Sequence, residues 1–495
     1  MDLTLIKTSV LLSGPEIIII LGACVALMLS LVPRPGQGGL IAGLSLLMIA
    51  LAAGMSATLG HMPQSAYQGM FVIDGIATYF KLLMYLGTAL TVLISGGYLA
   101  TENTDKGEYY VLLLFALSGA MIMVSGTDLL IIYIGIELQA LSIYVLVGFL
   151  TRNRRSNEAA LKYVILGAFS SGLLLFGLSL FYGLTGTTQL DAMAIALGNA
   201  ETGDPLLVLA TLLLLVGLLF KVGAVPFHMW LPDIYEGAPS PVTGFMSTVG
   251  KVAAFAVILR LLMHDLTSLA PIWRGAVVAV AVLTMAVGSL AALVQTNIKR
   301  MLAYSSIAHG GFLLLGLLAG GDDGMASVMF YLLVFTLMNL GLFAVIVLLN
   351  QGAAWGEPIW DFSGLAKSHP GLALITLVLL LSLAGIPPTG GFFAKFYVLV
   401  ALVESGQVTL AVIAVLFSAV SAWFYLRIIM LMYMEETDHP AQVSMTPALR
   451  LALAVTLIGT VLTGLFPAMF LDAAQTAAQA ATQAATQAVA QAGLG

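Results

Sequence analysis

Long apolar runs, interrupted by short polar or Gly/Pro segments, recur along the whole chain. About 20 consecutive apolar residues are needed for a helix to cross a bilayer. The runs predict fourteen such helices, at roughly 13–32, 39–60, 71–98, 109–125, 128–150, 160–184, 205–231, 240–263, 272–294, 299–319, 324–350, 370–403, 407–434 and 447–470. The expected fold class is therefore an all-α polytopic membrane protein. Fourteen spans in 495 residues leave short connections and predict no extramembrane domain. The Ala/Gln/Thr tract after Asp472 is of low complexity and predicts a frayed helical or disordered tail over 471–495.

Composition sharpens this picture. There are 18 Lys and Arg against 24 Asp and Glu, 8% of the chain, and mean hydropathy is +1.05. A soluble domain carries about 25% charged residues, and disorder needs low hydrophobicity. A net charge of -6, with no basic cluster of more than three residues, argues against nucleic acid. The single Cys24 cannot complete an internal disulfide, an iron–sulfur cluster or a Cys-based zinc site, and its apolar setting predicts a buried small side chain. No phosphate-cradling Gly-rich motif opens a helix after a strand. Pro15 and Glu16 precede the first apolar run, unlike a cleaved signal.

Loop charge predicts orientation, because cytoplasmic loops carry an excess of Lys and Arg. With the N-terminus outside, the inner loops hold Arg34, Lys106, Arg152, Arg154, Arg155, Lys299, Arg300 and Lys367, and Arg450 starts a helix on that side. The outer side holds Lys7 and Arg274 beside Asp191, Glu201, Asp204, Asp322 and Asp323. Both termini are thus expected outside.

A few charges remain at membrane depth: Lys81, Lys162, Lys221, Lys251, Lys395, Asp74 and Glu137, with Glu158 at the edge. Arg260 and Arg427 lie near span ends, where long side chains can snorkel to the interface. Each charge near the midplane costs about 2.5–3.5 kcal/mol, so Glu137, Lys221, Lys251 and Lys395 together cost on the order of 10–14 kcal/mol. Buried ion pairs that only fix packing are weak stabilisers. Function is the better reading of the four.

Two of these lysines flank expected helix breaks. Gly223-Ala-Val-Pro226 follows Lys221, and Gly385-Ile-Pro387-Pro388 precedes Lys395. Proline removes a backbone donor and glycine permits the bend. Non-helical backbone at this depth is tolerated only within protein or beside a wet cavity. Paired broken helices in two halves point to a transport site between inverted repeats. Lysine offers donors and no acceptor, so it does not ligate Na⁺. It changes charge readily, since burial disfavours the ammonium and a nearby carboxylate restores it. The expected cargo is H⁺.

Further polar residues lie beside these four. Lys162 lies four residues after Glu158 on one helix face and either modulates a Glu137–Lys221 pair or forms a surface pair. His228 and His309 have polar neighbours and are candidate relays. Asp74 and Lys81, two turns apart, suggest a structural or subunit-contact pair.

The segments LLFKVGAVPFHMWLPDIYEGAPSPVTGFMSTVGKVAAFAVILR, QTNIKRMLAYSSIAHGGF and LSLAGIPPTGGFFAKFYVL resemble the antiporter-like proton-translocating subunits of respiratory complex I, over roughly Tyr109 to Met434. DLLIIYIGIELQALSIYVLVGF, NEAALKYVILGAFSSGLLLFGLSLFYGLTG and a lysine at 395 resemble the subunit N branch of bacterial NADH–quinone oxidoreductase. The resemblance implies roles: Glu137 and Lys221 as the Glu–Lys pair, Lys162 as its tuning lysine, Lys251 as the central lysine, and Lys395 as the terminal titratable group. It implies three N-terminal helices over 1–108, inverted five-helix repeats over 109–263 and 272–434, each with a broken helix, and a last helix at 447–470. It also implies a bacterial inner membrane, neighbouring membrane subunits, and quinone used by the complex. NADH, flavin and iron–sulfur sites would lie in partner chains, with no cofactor or metal in this one. A subunit of a multi-subunit cation/H⁺ antiporter would share most of these motifs.

Overall fold

The computed structural model describes residues 3–32, 36–60, 63–198, 200–350, 357–437 and 443–492, without the side chains of 3–5, 264–265 and 481–492. Arg34 lies outside the described residues. Helices dominate. The N-terminal group is α1 (Leu3–Leu12), α2 (Gly14–Ser30), α3 (Gln37–Leu59) and α4 (Gly75–Thr101). Next come α5 (Glu108–Ser125), α6 (Leu129–Val147), α7 (Arg154–Thr185), α8 (Leu190–Leu197), α9 (Pro205–Val222) and α10 (Trp230–Gly237). The span Ser240–Met263 joins α11 (Ser240–Phe245) to α12 (Lys251–Leu259) through the π turn Met246–Gly250. There follow α13 (Ala270–Leu293), α14 (Ile298–Ala319), α15 (Gly321–Leu349), the short α16 (Leu365–Ser368), α17 (Pro370–Ala384), α18 (Gly390–Glu404), α19 (Val408–Met434), α20 (Pro447–Leu465) and α21 (Pro467–Ala492).

Twelve of these helices are long and apolar enough to cross a membrane, and α1 with α2, bent by 70°, makes a thirteenth. The remaining expected span, 370–403, is two 15-residue halves, α17 and α18. Helix starts follow local capping chemistry: Asp74, Asp128, Asn153, Asp204, Asn297 and Thr446 each accept from a first-turn N–H. The start of the third span is corrected. Phe71–Ile73 is a strand paired with Gln64–Ala66, and Asp74 caps α4 instead of lying within it.

Of the two readings of the tail, helical or disordered, the helical one holds through Ala492. The tail forms the helix α21, and Ala474 and Ala478 are fully buried in its contact with α4 and α15. Alanine is the strongest helix former and permits close approach. The Ala477 backbone lies against Gly75, where a Cβ would come within 2.7 Å of the carbonyl. Cys24, expected buried, is exposed on α2.

Glycines set the tightest helix pairs, and they do so alike in both halves. Between α5 and α6, a Cβ at Gly119 would stand 2.5 Å from the Gln139 nitrogen, and one at Gly135 2.6 Å from the Met123 nitrogen. Between α13 and α14, a Cβ at Gly288 would stand 2.5 Å from the Ala308 nitrogen. Backbone atoms cannot yield as a side chain can. Gly288→Ala should therefore destabilise the protein by about 1–3 kcal/mol through overpacking. Gly275→Ala on the same helix, where the new Cβ would meet nothing beyond its own helix backbone within 4 Å, should be neutral or stabilising. Thermal unfolding of the two variants checks this contrast. The Ser240–Met263 span, α14 and α15 form the buried centre, whereas α3 and α19 are mostly surface-facing.

Candidate functional site

Both expected breaks are present and share one local construction. Gly223 and Gly385 adopt left-handed φ values of 73° and 83°. The following N–H groups turn back into the helix, Ala224 to Leu219 O at 2.9 Å and Ile386 to Leu381 O at 3.0 Å. Such a left-handed stop satisfies terminal carbonyls. Val225–Pro226 and Pro387–Pro388 are cis. Two further carbonyls near the breaks find side-chain donors: Trp230 Nε1 donates to Phe220 O, and Lys395 Nζ donates to Ala384 O, each at 3.0 Å.

Lys221 sits in the last turn of α9. It lines a cavity of about 10 Å³ with Met123, Ile136, Gln139, Leu218, Ala254 and Val257, room for about one water. Among the described residues no carboxylate lies within ion-pair distance of it. Glu137 instead accepts a hydrogen bond from Ser171 Oγ on α7. Glu137 still acts on Lys221 electrostatically. The pair implied by resemblance is therefore a pair through space and not a contact.

Lys251 and Lys395 each hold a buried hydrogen-bonded group, and a third such group, built on His309, lies on the same helix as the Lys251 partner Ser306. Lys251 Nζ donates to Ser306 O at 2.5 Å and Ser306 Oγ at 2.6 Å and lies over the Phe335 ring. His309, one turn along α14, exchanges hydrogen bonds with Tyr331 OH at 2.6 Å and Tyr425 OH at 3.2 Å. Tyr425 OH also contacts Ser305 Oγ. Both lysines act electrostatically on His309. Lys395 Nζ donates to Ser418 Oγ at 3.0 Å and lies over the Phe312 ring. Sequence reading found His309 but missed Ser306, Tyr331, Tyr425 and Ser418, which carry no distinguishing motif. The three-residue step from Ser306 to His309 on one helix was the available signal. Tyr425→Phe removes the hydroxyl that serves both His309 and Ser305. At about 1 kcal/mol per hydrogen bond, Tyr425→Phe should lose about 1–2 kcal/mol of stability, read as a lowered thermal unfolding midpoint.

The remaining candidate residues have these surroundings, and Lys162 forms the surface pair that was one of its two readings. His228 sits half-buried at the first break with Nδ1 unpartnered, and no side-chain bond joins it to Lys221 or Lys251. Lys162 pairs with Glu158 and with Asp233, both at 2.9 Å, and touches neither Glu137 nor Lys221. Arg300 completes that cluster on Asp233 at 2.7 Å and Glu236 at 3.1 Å. Burial raises the Asp233 carboxyl, but the Lys162 and Arg300 hydrogen bonds outweigh it and hold it below its usual range. The cluster borders an open cavity of about 180 Å³ lined by Arg155, Glu158, Lys162, Asp233 and Glu236. Lys299, expected as a solvated loop charge, is 3% exposed and donates to Ala238 O.

Asp74 and Lys81 do not pair with each other. Asp74 receives both oxygens' bonds from Arg260, at 3.0 and 2.9 Å, and Lys81 meets Glu16 at 2.5 Å. Arg260 therefore does not snorkel; it is 2% exposed. Arg427 reaches the Leu293 and Gln295 carbonyls at the end of α13. Among the described residues, no group of three or more His, Cys, Asp or Glu is placed to hold a metal ion.

Known proteins resemble this chain in sequence and fold. A family described as NADH:quinone oxidoreductase/Mrp antiporter, TM matches residues 126–421. NADH-quinone oxidoreductase subunit N 2 of Rhizobium meliloti (strain 1021) is 56% identical over 461 residues, 93% of this chain and 96% of that protein. A chain of respiratory complex I from Thermus thermophilus with bound aureothin superimposes with a TM-score of 0.79 at 34% identity, covering 92% of this chain and 98% of that one. A chain of the Mrp complex from Dietzia sp. DQ12-45-1b gives 0.82 at 22% identity, covering 95% and 98%, and so shares the fold. With the paired breaks, the buried lysines and 56% identity over nearly the whole length, the chain belongs to the NADH-quinone oxidoreductase subunit N family.

Proposed function

We propose that this chain is the proton-translocating membrane subunit N of an NADH:quinone oxidoreductase. The observation that carries the reading is the buried set Lys251–Ser306–His309–Tyr425–Lys395, with Lys221 beside its own small cavity, inside a bundle of apolar spans. Quinone reduction elsewhere in the complex perturbs Glu137. The proton affinity of Lys221 falls, and the proton passes to Lys251, along the Ser306, His309 and Tyr425 groups, and to Lys395. Each unit of affinity change is worth 1.36 kcal/mol, so a few units match a pumping step. Lys162, with Asp233 and Arg300, forms a charged mouth on the inner side. Residues 109–263 and 272–434 act as inverted repeats, which the matching breaks and glycine-packed helix pairs support. Both termini face outside in a bacterial inner membrane. NADH, flavin, iron–sulfur clusters and quinone belong to partner chains.

Purification in mild detergent tests this. Flavin, iron–sulfur absorbance and NADH oxidation should accompany the chain. The second reading, a cation/H⁺ antiporter subunit, rests on the fold shared with the Mrp complex. Sodium-dependent exchange without redox activity would favour it.

A further inference from the structure

Lys251 follows directly on an irregular turn. Met246–Gly250 is a π segment, and α12 begins at Lys251 itself. A π turn widens the helix locally and is frequent at functional sites. In an α-helix each residue advances about 100° around the axis. Relaxing the π turn to α would therefore swing Lys251 away from Ser306 unless the rest of the span turned with it. The far end of the span resists turning, because Arg260 is held by both oxygens of Asp74 on α4.

The turn is clamped from two sides. On α4, Gly87 admits Val249, and a Cβ there would stand 2.7 Å from the Val249 side chain. On α15, Asn339 is 2% exposed in a helix whose other deep positions are mostly apolar. Its Nδ2 donates to Ser247 Oγ at 2.6 Å. Ser247 is fully buried within the π turn and donates its own hydrogen bond to Gly244 O at 2.8 Å. Gly244 in turn lies against Leu340 and Phe343 of α15, so the helices are close enough for the amide to reach. An isolated buried amide is costly, so its placement on this hydroxyl calls for a reason.

We propose that Asn339 is a positioning residue for Lys251: by holding Ser247 it maintains the π turn and so the direction in which the Lys251 ammonium meets Ser306. The inference rests on the proton-path reading above. Asn339 acts through Ser247 and carries no proton itself.

The test compares Ser247→Ala, Asn339→Leu, the double variant and a Lys251→Met control, each in the assembled complex in membrane vesicles. NADH-driven proton translocation is measured relative to NADH oxidation by a soluble artificial electron acceptor, which reports the amount of intact redox machinery. A role in assembly alone would lower both together and leave their ratio unchanged. Each single variant should lower the ratio by about twofold or more, the lower end of coupling within one hydrogen-bond network. The double variant should fall no further than the worse single one. Replacing both partners with apolar groups is the least disruptive way to remove a buried hydrogen bond. Ser247→Ala removes one oxygen and keeps the inference testable should Asn339→Leu fail to assemble. A wild-type ratio in Ser247→Ala, or a double variant that falls to the product of the singles, overturns the proposal. A wild-type ratio in Lys251→Met would instead overturn the proton-path reading itself.

Discussion

Lys221→Ala should abolish proton pumping while leaving NADH oxidation by a soluble acceptor intact. The ammonium lies at the end of α9, beside a cavity with room for about one water and within the field of Glu137. It is the group best placed to change its charge when Glu137 is perturbed. A positioned proton-transfer group contributes about 10²–10⁴-fold to rate, so the loss should exceed about a hundredfold. Lys221→Arg sharpens the test. Arginine keeps the positive charge but cannot release its proton in a protein. If Lys221 carries protons, the arginine variant fails like the alanine variant. If it serves only as a counter-charge to Glu137, the arginine variant pumps. Pumping at the wild-type rate in Lys221→Ala would sink the mechanism.

Arg260→Met should cost about 3–5 kcal/mol and reduce the amount of folded protein in the membrane. It strands Asp74, which is 4% exposed, as an unpaired buried charge. The double variant with Asp74→Asn should recover most of the loss. Asparagine is neutral yet still caps α4 at Ala77, because asparagine and aspartate are comparable N-caps. Thermal unfolding of the purified complex measures both. A double variant no more stable than Arg260→Met alone would show that the ion pair is not what holds α4 to this span.

These two variants mark where sequence reading succeeds and where it stops. Lys221 could be singled out because an isolated charge in an apolar run is conspicuous and a Gly-Ala-Val-Pro break follows it. Arg260 could not be paired. It looked like a snorkelling residue near a span end, and its partner lies 186 residues away in the chain. Asp74 and Lys81 looked like partners because helix periodicity relates residues on one element. Each instead bonds across to another helix, Asp74 to Arg260 and Lys81 to Glu16. Lys162 shows the same limit: its i,i+4 neighbour Glu158 was foreseen, and Asp233 on α10 was not. The Ala/Gln tail was readable as helical or disordered, and its docking was not readable at all. Low complexity left helix and disorder both open, and an alanine face is enough to dock the helix against glycine.

The sequence by itself determined the spans, the two breaks and the four central charges. Those features depend on local chemistry: bilayer-length apolar runs, residues that cannot continue a helix, and charges too costly to leave in lipid without a purpose. Only the tertiary structure decided which groups meet: Ser306 under Lys251, Tyr425 against His309, Ser171 on Glu137, Asn339 on the π turn. The reason is that serine, threonine, tyrosine and asparagine are unremarkable in a helix until packing brings them within hydrogen-bond reach. That packing joins helices far apart in the chain, as where Gly87 of α4 admits Val249 and Gly244 lies against Leu340 of α15, and the periodicity of one helix does not encode it.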